Sequence, residues 1–364
     1  MHTRRFFVLA GICLMTVVGM LVIGCSDDDS PVGPVELAWS PLGSGCNGEV
    51  TSSTFYAGRL IAGGGFDTAG GVNVNYVASW NGTAWTPLGS SLSSTVSDLI
   101  VYDGQLIAGG WFTTAGGTTA NYIAAWDGTS WSPLGSGMNN AVWALAVYDG
   151  KLIAGGQFTT ADGTSAKYIA AWDGTSWSAL GSGMSAQVHC LTVWDNKLIA
   201  GGWFATSGGV TTNCIAAWNG SSWSALSSGM ADGLGNLGVY GLGVYQNTLV
   251  AAGRFLKAGG HNVNHIAFWD GSMWGSPGSG LSAAAFALEE FDGKLVVGGE
   301  FVTAGSVGAN NIAVWDGTEW SPLSSGTDGY VRSLFTIGTR LIAGGRFTTA
   351  GGVSASSIAT WGPR

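Results

Sequence analysis

Residues 106–138 read LIAGGWFTTAGGTTANYIAAWDGTSWSPLGSGM, and variants of this phrase fill most of the chain. Seven copies follow one another, and the leucines that open them are Leu60, Leu106, Leu152, Leu198, Leu249, Leu295 and Leu341. The copies therefore begin 46 residues apart, except for one step of 51. A fixed period of this length predicts a repeat architecture in which each copy forms one supersecondary unit.

Each copy contains four short apolar or aromatic runs, which indicate four strands separated by turns. Asp-Gly pairs stand between the first and second runs, as at Asp103-Gly104, and between the third and fourth, as at Asp127-Gly128. Because such pairs accept the positive φ angles of a two-residue hairpin, both turns are predicted to be tight. The other connections are longer. The unit is therefore an antiparallel meander with tight turns at one end and long loops at the other.

Seven four-stranded units predict an all-β fold, a seven-bladed β-propeller with antiparallel blades. The chain ends favour a closed ring. Residues 39–43 (WSPLG) match the fourth strand at 131–135, whereas residues 358–361 (IATW) match a third strand with no fourth after it. Pairing of the N-terminal strand with the C-terminal blade would complete that blade and remove two exposed strand edges.

The repeated phrase resembles known propeller families. The glycine pair that ends the second strand, as at Gly109-Gly110, is followed by paired aromatic residues and resembles the kelch and galactose-oxidase type of propeller. The full phrase is more similar to the Rax-type propellers of fungal cortical landmark proteins and of bacterial secreted relatives, over residues 35–364. Two departures are the five-residue spacing of Trp126 and Trp131 and the Ala252 that interrupts one glycine pair. The resemblance implies the fold and leaves the activity open, because propellers host many activities.

The first 24 residues are predicted to be a lipoprotein signal peptide. Arg4 and Arg5 precede an apolar run that ends in VIGC at residues 22–25, which fits a bacterial lipobox. Cys25 would carry the lipid, residues 25–34 would form a disordered acidic tether, and residues 35–364 would form the propeller. A transmembrane anchor is the alternative, since the 19 apolar residues could span a bilayer. The export route, general secretory or twin-arginine, stays open.

The composition fits an exported protein and argues against nucleic acid as a partner. Loss of Arg4 and Arg5 with the signal peptide leaves 11 basic against 22 acidic residues, and phosphates would repel so negative a chain. Cys190 and Cys214 fall on strands two apart in one blade, beyond disulfide reach. Cys46 takes the place of a methionine in other copies, so it is predicted to be buried. We expect no disulfide framework, no metal site and no cofactor, and a monomeric protein.

Comparison of the seven copies separates structural positions from variable ones. The tryptophans of the third and fourth strands and the phenylalanine after each glycine pair recur, so they are predicted to pack between blades. Two positions vary. The residue before that phenylalanine is Gly65, Trp111, Gln157, Trp203, Arg254, Glu300 and Arg346 in successive copies. The second residue of the first strand is Thr51, Ser97, Trp143, His189, Tyr240, Phe286 and Arg332.

Both variable positions adjoin the long loops, so they are predicted to share one rim of the ring near its central channel. The candidate ligand-binding residues are Trp111, Trp143, Trp203, His189, Tyr240, Arg254, Glu300, Arg332 and Arg346. Tryptophan faces would stack on a sugar ring or an apolar side chain, and the arginines would hold an anionic group. We therefore expect a lipid-anchored, extracytoplasmic protein of the bacterial cell envelope that binds a glycan or an envelope protein.

Other interpretations remain open alongside this one. Variation at exposed loop positions also arises without any function. A sialidase-like hydrolase would gather the three arginines around a carboxylate, although no carboxylate pair or nucleophile–base pair can be placed. A structural role in an envelope complex is the third. Copper chemistry of the galactose-oxidase type would need His and Tyr ligands, and the only histidines beyond the signal are His189, His261 and His265.

Overall fold

The computed structural model describes residues 36–90, 92–232 and 237–364. The chain divides into two compact units, residues 1–35 and residues 36–364, and only the second is described below. The predicted signal peptide, the lipidated Cys25 and the tether lie outside the described residues. Within the described ranges there is no helix with the length and apolarity that a membrane span requires.

Seven four-stranded antiparallel sheets make up the described part of the chain, and we number them as blades 1 to 7 in chain order. The first strands are Val50–Tyr56, Val96–Tyr102, Val142–Tyr148, Val188–Trp194, Gly238–Tyr245, Ala285–Phe291 and Val331–Ile337. The second strands are Arg59–Gly64, Gln105–Gly110, Lys151–Gly156, Lys197–Gly202, Thr248–Arg254, Lys294–Gly299 and Arg340–Gly345. The third strands are Val77–Trp80, Ile123–Trp126, Ile169–Trp172, Ile215–Trp218, Ile266–Trp269, Ile312–Trp315 and Ile358–Pro363. The fourth strands are Trp85–Pro87, Trp131–Pro133, Trp177–Ala179, Trp223–Ala225, Trp274–Gly275, Trp320–Pro322 and, for blade 7, Leu37–Pro41.

The sheets form a closed ring. The first strand of each blade contacts the first strand of the next, and that of blade 7 contacts that of blade 1. Leu37–Pro41 pairs antiparallel with Ile358–Pro363, so that Trp39 faces Trp361. The predicted closure by the N-terminal strand is therefore confirmed, and the last blade is built from both ends of the chain.

The two kinds of short turn differ. Asp103 and Gly104 form a two-residue turn in which both φ angles are positive, 47° and 71°, as predicted for the first turn. The prediction was wrong for the turn between the third and fourth strands. There Trp126 pairs directly with Trp131, so the turn contains four residues, and the Asp127 carboxylate accepts backbone hydrogen bonds from its third and fourth members. These hydrogen bonds to the carboxylate stabilise the turn, so the turn does not need a second residue with a positive φ angle.

Each long loop between the second and third strands carries a further two-stranded hairpin. These hairpins are Thr68–Ala69 with Val72–Asn73, Thr114–Ala115 with Thr118–Thr119, Thr160–Ala161 with Thr164–Ser165, Thr206–Ser207 with Val210–Thr211, Lys257–Ala258 with His261–Asn262, Thr303–Ala304 with Val307–Gly308, and Thr349–Ala350 with Val353–Ser354. In blade 5 a short strand at Met230–Ala231 pairs with Lys257–Ala258. The long loops are therefore ordered by backbone hydrogen bonds, and together they form one rim of the ring.

The recurrent aromatic residues pack between blades, as predicted. Six of the fourth-strand tryptophans donate a hydrogen bond from Nε1 to a backbone carbonyl at the end of the preceding blade, as Trp131 does to Leu88 at 3.0 Å. The glycine pairs also serve blade packing. A Cβ atom on Gly109 would lie 2.6 Å from Cγ1 of Val142 in the next blade, so only glycine allows the blades to approach this closely.

Candidate functional site

A β-bulge at the second residue of every first strand builds the channel mouth. The pairing register of each first strand skips one residue, and the skipped residues are Thr51, Ser97, Trp143, His189, Tyr240, Phe286 and Arg332. A bulge bends the strand and redirects the side chain of the extra residue. All seven side chains line one cavity of about 450 Å³. The predicted variable position therefore faces the channel because of the bulge.

Aromatic rings form a continuous cluster on blades 2 to 4. The ring centroids of Trp111 and Trp143 are 6.1 Å apart, and those of Trp143 and His189 are 4.5 Å apart. The imidazole of His189 also lies 4.7 Å from the ring of Trp203. Trp111 and Trp203 remain 46% and 37% exposed, so each presents a large aromatic surface to the solvent at this rim.

The cluster continues through blades 5 to 7. The ring of Tyr240 packs edge-on against His189 at 5.2 Å and against Phe286 at 6.0 Å, and its hydroxyl accepts a hydrogen bond from Trp203 Nε1 at 3.1 Å. Phe286 in turn packs against Tyr330 at 6.5 Å. An unbroken arc of aromatic side chains thus runs around the channel mouth from blade 2 to blade 7.

Two arginines reach this arc, and each is paired with a glutamate. Arg254 Nη2 lies 2.8 Å from Oε1 of Glu300, and Arg332 Nε lies 3.3 Å from Oε1 of Glu49. The guanidinium carbon of Arg332 also sits 4.5 Å above the centroid of Phe286, which is a cation–π contact. The charges of these two arginines are therefore offset by two glutamates, and Asp98 adds a third carboxyl group to the cavity wall. We call the aromatic arc together with these two ion pairs the channel-mouth site.

Arg346 does not join the channel-mouth site. Its side chain is exposed and lines a separate recess of about 380 Å³ between blades 7 and 1, together with Asn47, Asp328 and Thr348. The three arginines are therefore not gathered around one point, as the sialidase-like alternative requires. Of the nine predicted residues, the structure brings eight together and places Arg346 apart.

His189 and Asp98 in the channel wall have displaced pKa values. Burial, with a smaller contribution from the charge of Arg332, lowers the pKa of His189 to about 3, so the imidazole is neutral at pH 7. Within the described part of the chain, its buried Nε2 has no hydrogen-bond partner. Burial raises the pKa of Asp98 to about 6 even though its carboxylate accepts hydrogen bonds from Ser52 Oγ and from the backbone of Leu99 and Leu145.

Four residues of the site were missed as candidates from the sequence: Glu49, Asp98, Phe286 and Tyr330. Glu49 and Tyr330 each precede the first residue of a first strand, at a position that reads Glu, Thr, Ala, Gln, Gly, Ala and Tyr in successive copies. This third variable position would have identified them. In the other copies, the position of Asp98 holds only small residues. The acidic side chain at this position could therefore have identified Asp98 as a candidate.

The cysteines and histidines provide no metal ligand set in the described residues. Cys46, Cys190 and Cys214 are free thiols, and Cys46 is buried as predicted. No group of three or more His, Cys, Asp or Glu side chains that could hold a metal ion occurs within residues 36–90, 92–232 and 237–364. His265 packs inward, with Nδ1 3.1 Å from the carbonyl oxygen of Gly253.

Comparison with known proteins supports the architecture. The chain is similar to the extracellular domain of a hybrid two-component system protein from B. thetaiotaomicron, with a TM-score of 0.59 and 10% identity. The similarity covers 90% of this chain and 39% of that chain. It is also similar to the WD40 β-propeller domain of Doa1, with a TM-score of 0.57, 14% identity and coverage of 91% of this chain and 98% of that one. The protein is a β-propeller. The WD40 repeats of RRP9 match it as well, with a TM-score of 0.58, 13% identity and coverage of 90% and 100%.

A sequence family also matches parts of this β-propeller. The family is described as "Domain of unknown function (DUF5122) beta-propeller". Its model matches residues 103–124, 149–170, 195–216 and 292–313. These segments include Trp111, Trp203 and Glu300 and leave out all seven bulge residues. No curated protein matched the sequence. The comparisons support a β-propeller in general, and the kelch-like or Rax-type assignment stays a prediction.

Proposed function

We propose that this β-propeller is an extracytoplasmic binding module whose channel-mouth site takes a glycan or a protein ligand. The observation that carries the proposal is the unbroken aromatic arc at the bulge positions of one rim. Ligand sites are typically concave, largely aromatic and apolar, with a few polar groups that fix orientation. Solvent-exposed tryptophans on such a rim leave apolar surface in contact with water, which is unfavourable. A ligand that covers this surface removes the unfavourable contact, whereas a purely structural rim would not need exposed tryptophans.

The extracytoplasmic part of the proposal draws support from one structural neighbour, which is the extracellular domain of a hybrid two-component system protein.

Replacement of Trp111 or Trp203 by Ala is expected to weaken ligand binding about tenfold each, because each residue supplies an exposed stacking face. Binding is measured by calorimetry on the glycan or envelope protein that scores highest in a panel of purified candidates. The matched control is Met273→Ala, which removes an exposed apolar side chain, 52% exposed, from the four-residue turn between the third and fourth strands of blade 5 on the opposite rim. Unchanged affinity in the Trp111→Ala, Trp203→Ala double variant, with an intact fold, would refute the proposal.

The anchor has a separate test. The variant Cys25→Ser cannot accept a lipid on a thiol, so it is expected to move the protein from the membrane fraction to the soluble fraction of the cell envelope. Incorporation of labelled palmitate and fractionation by centrifugation provide the measurement. Cys46→Ser serves as the control, since Cys46 is buried in the β-propeller. Palmitate incorporation into Cys25→Ser at the level of the unmodified sequence would contradict lipidation at this residue.

A further inference from the structure

The ion pairs of the channel-mouth site restrict the charge of its ligand. Arg332 and Arg254 each hold a glutamate at 3.3 and 2.8 Å, and Glu49 also accepts a hydrogen bond from the Tyr330 hydroxyl at 3.4 Å. An acidic ligand would bring a further negative charge beside Glu49 and Glu300, which already offset the charges of Arg332 and Arg254. The pairs therefore disfavour anionic ligands.

A cationic ligand is disfavoured by the same groups. Aromatic clusters attract cations through the faces of their rings. Here the guanidinium of Arg332 already covers Phe286 at 4.5 Å, and Arg254 adds a second positive charge beside Tyr240. Both arginines would repel an incoming ammonium group. The third carboxyl group, that of Asp98, already accepts three hydrogen bonds from the protein. The channel-mouth site thus combines a large aromatic surface with charged groups that already have partners, which suits an uncharged molecule.

The polar groups of the site suit hydroxyls. His189 Nε2 is buried and has no partner among the described residues, and the ring is neutral at pH 7. A hydroxyl can both donate and accept a hydrogen bond, so it can satisfy this nitrogen in either tautomer. Thr95 and Ser97 line the same cavity and add two hydroxyl groups to its wall. An apolar side chain of a protein ligand would leave the buried nitrogen without a hydrogen-bond partner, which is unfavourable.

We infer that the ligand is a neutral saccharide, whose ring face packs against Trp203 and whose hydroxyl engages Nε2 of His189, and that Glu49 and Glu300 disfavour acidic sugars by offsetting the charges of Arg332 and Arg254. This inference rests on the proposed binding function and names its ligand class. The two glutamates are specificity-determining residues. They set which sugars enter, whereas the aromatic arc supplies the surface that any sugar would use.

The test uses a panel of neutral hexose and N-acetylhexosamine oligosaccharides, each beside its uronic-acid counterpart, with affinity measured by calorimetry. The unmodified protein is expected to bind the best neutral member at least tenfold more tightly than its acidic counterpart. Glu49→Gln and Glu300→Gln are each expected to reduce this preference about tenfold, because each frees one arginine for the uronate. Glu319→Gln changes an exposed glutamate in the turn between the third and fourth strands of blade 6, on the opposite rim. It is the matched control and should leave the preference unchanged.

The possible outcomes separate this inference from the proposed function. Equal or tighter binding of the uronate by the unmodified protein would overturn the neutral-saccharide inference, while loss of that binding in Trp203→Ala would still support a binding module. Binding of an envelope protein but of no saccharide, again lost in Trp203→Ala, would have the same meaning. Absence of any ligand whose binding depends on Trp111 or Trp203 would overturn both. Thermal unfolding checks each glutamate variant for folding, and either one alone suffices for the comparison.

Discussion

A chain that begins at Leu42 is expected to lose most of its free energy of unfolding, because it lacks the strand that closes the ring. Trp39 is buried and packs against Trp361, with ring centroids 5.6 Å apart. Removal of one buried tryptophan side chain costs about 3–5 kcal/mol, out of a total stability of about 5–15 kcal/mol for a typical domain. The truncation also exposes the edge of strand Ile358–Pro363, which is then free to pair with another molecule. Urea unfolding and size-exclusion chromatography should show lower stability and self-association.

The matched control is a circular permutant with the same strands. The backbone N–H of Arg364 donates to the carbonyl of Glu36 at 3.1 Å, so a short glycine linker can join the two ends. New termini can open at the exposed turn of Asp103 and Gly104. This permutant keeps the strand Leu37–Pro41, and we expect it to retain the stability of residues 36–364 to within about 1–2 kcal/mol, since surface turns tolerate new termini. A truncated chain as stable as the permutant would show that closure by this strand contributes little.

The repeat made the fold predictable from the sequence. Every copy contains the same aromatic positions and glycine pairs, so a single assignment of strands applies to all seven blades. The split of the last blade followed from residues 39–43 and 358–361, which match complementary parts of one copy. The turn at Asp127 was less predictable. Its Asp-Gly pair is identical to that of Asp103, and only the direct pairing of Trp126 with Trp131 shows that two more residues belong to it.

The site was predictable in its position and less so in its contacts. Comparison of copies located the variable positions, but the bulge that turns them inward leaves no mark in the alternation of residues. The contacts also form between neighbouring blades: Trp111 meets Trp143, and Arg254 meets Glu300. Arg346 has no such partner on blade 1, where the corresponding positions are Thr51 and Gly65 and where Glu49 already pairs with Arg332. A comparison of aligned positions within copies cannot show which side chains meet across blades.

Acid is expected to destabilise the protein through His189. Its pKa is lowered in the folded protein to about 3 from an ordinary value of 6.5, so between these pH values the unfolded chain binds a proton that the folded chain does not. The free energy of unfolding that His189 contributes is therefore fully present above pH 6.5 and is lost as the pH falls toward 3. At about 1.4 kcal/mol for each pKa unit, the loss is on the order of 5 kcal/mol.

Asp98 opposes this effect over part of the same range. Its pKa is raised to about 6 in the folded protein from an ordinary value of 3.8, so the folded chain binds the extra proton between these values. Stability gained from Asp98 is present below pH 3.8 and is lost as the pH rises through 6, which amounts to about 3 kcal/mol. Between pH 4 and 6 the two residues therefore act in opposite directions. The unmodified protein should show a shallower dependence on pH than either residue alone would produce.

Two variants separate the opposing contributions. His189→Phe keeps an aromatic ring in the arc and removes the titration, so its free energy of unfolding should no longer fall between pH 6.5 and 3 on account of this residue. Asp98→Asn removes the opposing group, so its stability should fall more steeply with acid than that of the unmodified protein. Urea unfolding at pH values from 3 to 8 provides the measurement, with His261→Gln, an exposed histidine of an outer hairpin, as the control. If His189→Phe and the unmodified protein lost stability in parallel below pH 6.5, the imidazole would not be the buried neutral group of the channel wall, and its role toward a ligand hydroxyl would fail with it.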